Sequence, residues 1–113
     1  MGFTFKENVN DIRNTKVYAL YNALKDAGFQ VDVHDPLVDT DHMSEYPGLV
    51  VRGDSFDAKY DLLALCVPHH IFTEKRDFYL STCLNDDGVI FDLKATWKHD
   101  HESGNLKHNY FTL

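Results

Sequence analysis

The chain has 113 residues, 43% of them hydrophobic and 26% charged, and a formal charge of −7. That length fits one domain around one core, and the composition excludes a disordered or fibrous chain. No apolar run approaches the ~20 residues that span a bilayer, and 18 acidic against 11 basic residues argue against a duplex nucleic-acid binder.

Residues 2–6 read as a strand cut short. Val17, Leu20, Tyr21 and Leu24 recur at helical spacing and predict a helix over residues 15–27, capped by Asn14 or Thr15 and stopped by Gly28. Residues 29–34 alternate apolar and polar, which predicts a half-exposed strand with His34 turned to solvent and Asp35-Pro36 ending it. A polar stretch follows, with a short helix expected around residues 39–45, a turn at Pro47-Gly48, a minor strand over 49–51 and a short helix or turn over 53–59. Residues 62–67 form the most apolar run, suited to a parallel strand buried on both faces. A helix is expected over 70–84, a turn at Asn85-Asp86-Asp87-Gly88, and a last clear strand over 89–93. Residues 98–113 read as a polar, His-rich tail.

This order predicts an α/β fold, a three-layer Rossmann-like domain with a mostly parallel sheet and right-handed crossovers. Ligands of such sheets lie at the carboxyl ends of the strands. Three cations stand at or beside those ends: Lys6, Arg13 and Lys94. Together they could neutralise a pyrophosphate, although exposed lysines at strand ends also occur without any ligand.

Other candidates are weaker. His69 and His70 follow the buried strand, and packing or capping under the sheet top is the expected role of His69. Lys98-His99-Asp100-His101-Glu102 carries metal-ligand residue types, but the spacing is unspecific. Cys66 sits inside the apolar run and Cys83 near a helix end, so both read as structural thiols. Two cysteines without metal-ligand spacing, and no basic and apolar leader at the N-terminus, predict reduced thiols in a cytoplasmic protein. Arg52-Gly53-Asp54 matches an adhesion triplet by letters alone.

The opening run Gly2-Phe3-Thr4-Phe5-Lys6-Glu7-Asn8, with Asp11-Ile12-Arg13-Asn14 after it, resembles the segment that opens the C-terminal domain of UDP-glucose/GDP-mannose dehydrogenases. The likeness is nearest to the branch that oxidises UDP-N-acetylhexosamines for surface polysaccharides. Val33-His34-Asp35-Pro36, Tyr60-Asp61, Val67-Pro68-His69 and Phe91-Asp92-Leu93-Lys94 resemble further landmarks of the family, in the same order over residues 2–95. The resemblance implies that Phe5, Lys6 and Lys94 contribute to a nucleotide-sugar site and that Arg13 contacts an NAD cofactor. It implies a UDP-sugar domain over residues 1–97.

The family's two-step oxidation of a sugar C6 alcohol uses a cysteine and a glycine-rich dinucleotide fingerprint. Neither Cys66 nor Cys83 matches that cysteine, and no G-x-G-x-x-G occurs. The chain alone is therefore expected to be inactive, a partner for absent NAD-binding and central domains. The resemblance also implies apolar residues ahead of the opening run. Here Met1 precedes it directly, leaving a central strand of about four residues. A homodimer could cover the backbone this exposes. The rivals are oxidation of another nucleotide sugar, a non-catalytic binding or regulatory module that retains the fold, and a signalling receiver. The receiver needs an acidic cluster where Phe5-Lys6 stands.

Overall fold

Apolar runs separated by helices pair as parallel strands. The computed structural model describes residues 1–12, 15–38, 40–46, 48–49, 51–52, 56 and 59–113, with the backbone alone at 40–42 and 52. The elements run in the order α1 (Val17–Asp26), β1 (Val33–His34), a 3-10 turn (Thr40–Glu45), β2 (Val51–Arg52), β3 (Tyr60–Leu65), α2 (His70–Glu74), α3 (Arg76–Cys83), β4 (Leu84–Asp92), α4 (Lys98–Glu102) and β5 (Asn109–Thr112). One ladder joins β1 to β2 and a second sheet has the order β3-β4-β5, every pairing parallel. This is the α/β fold that the alternation of runs predicts.

The first segment carries no ladder of its own, yet it stitches the two sheets together. Met1 donates its terminal ammonium to Ala64 O at 2.6 Å, and its carbonyl accepts Cys66 N–H at 2.8 Å. That is the bond pattern of a parallel pair centred on Leu65. On the other side, Gly2 N–H donates to His34 O at 2.9 Å. Gly2 has φ +84°, and a Cβ there would lie 2.5 Å from Val67 O, so only glycine lets the segment pass this close to the end of β3.

Two elements beside this segment differ from expectation. The alternating stretch 29–34 pairs only at Val33–His34. The α1 stripe of Val17, Leu20, Tyr21 and Leu24 buries only Tyr21. Both border a cavity of about 570 Å³ between β1 and β3, which also reaches Cys66 and Cys83. Helix α1 begins two residues later than expected, with Lys16 at its N-cap and no side-chain cap bond; Thr15 Oγ1, one residue further out, accepts Val17 N–H at 3.2 Å, and Gly28, at φ +95°, turns the chain out of the helix. Asn14, the other expected cap, lies outside the described residues, as does most of the 53–59 stretch.

Three further differences concern the second half. The single helix expected over 70–84 breaks at Lys75, whose φ −109° and ψ 26° are not helical, into α2 and α3. Residues 85–88 do not separate elements; they bulge within β4, where the ladder steps from Tyr60↔Leu84 to Leu62↔Val89. Residues 98–113, polar by composition, carry α4 and β5. Tyr110 packs against the core cluster of Leu65, Phe72, Tyr79, Ile90 and Trp97, while Phe111 faces out. A half-buried edge strand needs only alternate apolar residues, which composition averages away.

Candidate functional site at the strand ends

The carboxyl ends of the first segment, β1, β3 and β4 meet at one edge of the fold. Asp35 is their junction. It follows β1, is buried, and its Oδ2 accepts Phe3 N–H at 2.7 Å, Thr4 N–H at 3.2 Å and the His69 Nε2 proton at 2.8 Å. Its Oδ1 accepts Leu37 N–H at 2.8 Å. Burial pushes this carboxyl up, but the hydrogen bonds from His69 and from the Phe3 and Leu37 amides outweigh it and hold the group below its ordinary value of 3.8.

From this junction the chain folds out into a loop. Thr4 Oγ1 donates to Lys6 O at 2.8 Å and Phe5 N–H donates to Asp11 O at 2.9 Å. Asn8 closes the turn with φ +62°, a left-handed conformation that Asn tolerates. Its Oδ1 accepts His70 N–H at 2.9 Å, satisfying an amide at the start of α2 that the short helix cannot. The loop presents Phe5, which is 49% exposed, with Lys6 and Glu7.

Lys94 reaches the same place from β4. Asp92, fully buried, accepts Trp97 N–H at 2.7 Å and the Tyr110 hydroxyl proton at 2.8 Å, which fixes the turn carrying Lys94. Burial, and then this carboxylate, push the Tyr110 phenol up. Lys94 Nζ lies 3.6 Å from Glu7 Oε2. The Glu7 carboxyl is held low by a backbone hydrogen bond, then by Lys94 and, more weakly, by Lys6. Lys94 thus pairs with an exposed carboxylate on the loop that carries Lys6 and the exposed Phe5. An anion with several oxygens can displace that carboxylate from Lys94.

Of the residues read from the sequence, Phe5, Lys6 and Lys94 stand at this edge. Arg13 lies outside the described residues. His69 is buried and hydrogen-bonded under the sheet top, the role expected of it. His34 corrects its expectation: it is 4% exposed, with Nε2 3.3 Å from Tyr79 Oη and its ring packed among Phe56, Phe72 and Tyr79. Strand β1 is buried on both faces, so alternation there does not mean a solvent face. Burial pushes both thiols up, consistent with structural cysteines. Among the described residues no group of three or more His, Cys, Asp or Glu could hold a metal. Residues of the Lys98–Glu102 run serve elsewhere: Asp100 pairs with Arg76 at 2.8 Å and the His101 ring stacks on Tyr110.

Asp35, Asn8, Glu7 and Asp92 are absent from the residues that sequence reasoning selects. Each acts through backbone amides or a neighbouring lysine. An Asp directly before Pro, or an Asn closing a loop after a strand, is the only local signal.

Residues 1–99 match the family model described as the UDP-glucose/GDP-mannose dehydrogenase family, UDP binding domain. The chain is 39% identical over 101 residues to a UDP-N-acetyl-D-glucosamine 6-dehydrogenase of Pseudomonas aeruginosa, covering 88% of this chain and 24% of that protein. It is 35% identical over 104 residues to Protein CapL of Staphylococcus aureus, covering 88% and 23%. It is 32% identical over 94 residues to a UDP-N-acetyl-D-glucosamine 6-dehydrogenase of Salmonella typhi, covering 83% and 22%. The chain therefore spans about a quarter of the length of these curated relatives. On these matches the chain belongs to the UDP-glucose/GDP-mannose dehydrogenase family, over its UDP-binding domain.

Proposed function

We propose that this chain is the nucleotide-sugar-binding domain of an NAD-dependent UDP-sugar 6-dehydrogenase acting in cytoplasmic polysaccharide biosynthesis, with a UDP-N-acetylhexosamine as substrate. The pairing of Lys94 with Glu7, on the loop that also carries Lys6 and exposed Phe5, supports this reading most directly. The lysines neutralise the pyrophosphate and Phe5 borders the bound nucleotide. Names of the relatives, two of them UDP-N-acetyl-D-glucosamine 6-dehydrogenases, support the substrate class.

The described residues do not fit NAD by themselves. They hold no glycine-rich turn ahead of a helix, and the one proposed cofactor contact, Arg13, lies outside them. Hydride transfer and the catalytic thiol are assigned to other domains, so this chain binds and orients the nucleotide end of the substrate without oxidising it. The β1–β3 cavity is apolar and lies beneath the lysine edge, and contact with those domains or with a second copy would cover it. Calorimetric titration with UDP-N-acetylglucosamine tests the reading: saturable binding lost in the Lys6→Ala/Lys94→Ala double variant supports it, and equal binding by the double variant refutes it.

A further inference from the structure

His69 touches no solvent and lies under the lysine loop, not in it. Its two ring nitrogens face partners of opposite kind. Nδ1 is 2.8 Å from Asn8 N, a backbone group that can only donate. Nδ1 must therefore accept, which places the ring proton on Nε2, where Asp35 Oδ2 receives it at 2.8 Å. Thr4 Oγ1 stands 3.2 Å from the same Nε2, and the ring edge meets Phe72. Asp35 is the one charged side chain hydrogen-bonded to the ring among the described residues. Glu7, Lys6 and Lys94 stand on the solvent side of the loop.

The neutral ring is therefore a two-sided clamp. Through Asp35 it shares the carboxylate that holds Phe3 and Thr4. Through Nδ1 it holds Asn8, whose left-handed backbone and hydrogen bond to His70 fix the far end of the loop. Between those two anchors lie Phe5, Lys6 and Glu7. A second ring proton would sit on Nδ1 and point at the Asn8 N–H. Two donors would then face each other inside a buried site, and the cheapest relief is for the loop to leave.

We propose that His69 is a pH-gated positioning residue of the nucleotide-sugar cleft: neutral, it holds the Phe5–Asn8 loop in the ligand-ready position, and protonated, it releases the loop. This deepens the reading of the cleft given above and rests on it. It assigns regulation to a residue that contacts the ligand only through the loop.

The test uses the intact chain from about pH 8 to about pH 5, the range in which histidines change charge. The probe is UDP-N-acetylglucosamine, whose pyrophosphate diester keeps its charge across that range. Two signals are followed: the amide resonances of residues 5–8 without ligand, and the affinity for the probe. The wild type is expected to show the Asn8 amide moving with the His69 ring resonance and affinity falling by about tenfold or more, the worth of one ordering hydrogen bond. His69→Asn offers a carboxamide oxygen that can take the place of Nδ1 but cannot titrate. It is expected to bind at high pH and to show a flat profile.

An Asn8 amide that ignores pH, a ring proton found on Nδ1, or an equal affinity loss in His69→Asn overturns the proposal. The wild-type measurements stand even where the variant fails to fold. A loop that titrates with His69 in a protein that binds no probe at any pH supports the clamp and rejects the nucleotide-sugar reading, so the two failures are separable.

Discussion

The strand-end edge and the space directly beneath it are built in opposite ways. At the edge, Thr4, Asn8, Asp35 and His69 are tied by hydrogen bonds that cross from one strand end to another. Beneath it, β1 and β3 face each other across an apolar cavity of about 570 Å³, bridged among the described residues by Met1 and Gly2 and by the Tyr60 hydroxyl on Asp32. The loop that presents Lys6 is thus held by polar bonds made within residues 1–70, and the Asp92 bonds to Trp97 and Tyr110 hold the turn of Lys94. The lesson is that a binding edge can be ordered by its own network while the sheet below is incompletely packed.

The largest effect should come from cutting the junction. Asp35→Ala leaves the buried Phe3, Thr4 and His69 donors unpaired, and urea unfolding should show a loss of about 3–5 kcal/mol. The wild type carries the matching acid signature. The folded Asp35 carboxyl lies below its ordinary 3.8, so its contribution is complete above that value and is lost as pH falls through the lowered folded value. An acid-unfolding curve whose shape is unchanged by Asp35→Asn would break this half of the comparison.

Next come paired truncations above and beside the cavity. Leu65, 1% exposed in the main core, should cost about 2–5 kcal/mol as Leu65→Ala. Leu24, half-buried on the cavity wall, should cost under about 1 kcal/mol, since it loses few neighbours. Equal costs would mean that the cavity is filled in solution, as it would be in a dimer, and light scattering on the same samples would then report a second copy.

At the edge itself, Lys6→Ala and Lys94→Ala should each weaken UDP-N-acetylglucosamine binding about tenfold, one charge-assisted contact apiece, without lowering the unfolding midpoint. The smallest effect is Glu7→Gln. An exposed pair such as Glu7–Lys94 contributes little, so stability should change by less than about 0.5 kcal/mol. Affinity should rise, because the carboxylate no longer competes for the lysines. A fall in affinity would mean that Glu7 arranges the lysines and does not compete with the ligand.

Much of this was legible in the sequence, and the exceptions share a cause. The apolar run at residues 62–67 and the helical stripe from Val17 to Leu24 mark β3 and α1, although β3 buries Leu63 and Leu65 on one face rather than both faces and the α1 stripe buries Tyr21 alone. Lys6 and Lys94 stand out as cations at strand ends, and Phe5 through the family resemblance. His34 misleads because an alternating pattern implies one wet face, whereas β1 is covered on both. β5 is hidden because an edge strand of four residues in a polar stretch carries almost no period. Asp35, Asn8 and Asp92 are hidden for a different reason. Their partners, backbone amides of Phe3, His70 and Trp97 among them, are brought close only by the fold, and no spacing in one dimension encodes them.

The central claim is that the lysine edge, and not the apolar cavity beneath it, receives the nucleotide sugar. Amide chemical-shift mapping with UDP-N-acetylglucosamine up to millimolar concentration tests it most directly, because it detects weak binding and locates it. The account predicts saturable shifts concentrated on residues 5–8 and on Lys94 and Ala95, with residues 59–64 of the cavity wall unmoved. Shifts confined to the cavity wall, or none at any residue, would contradict it.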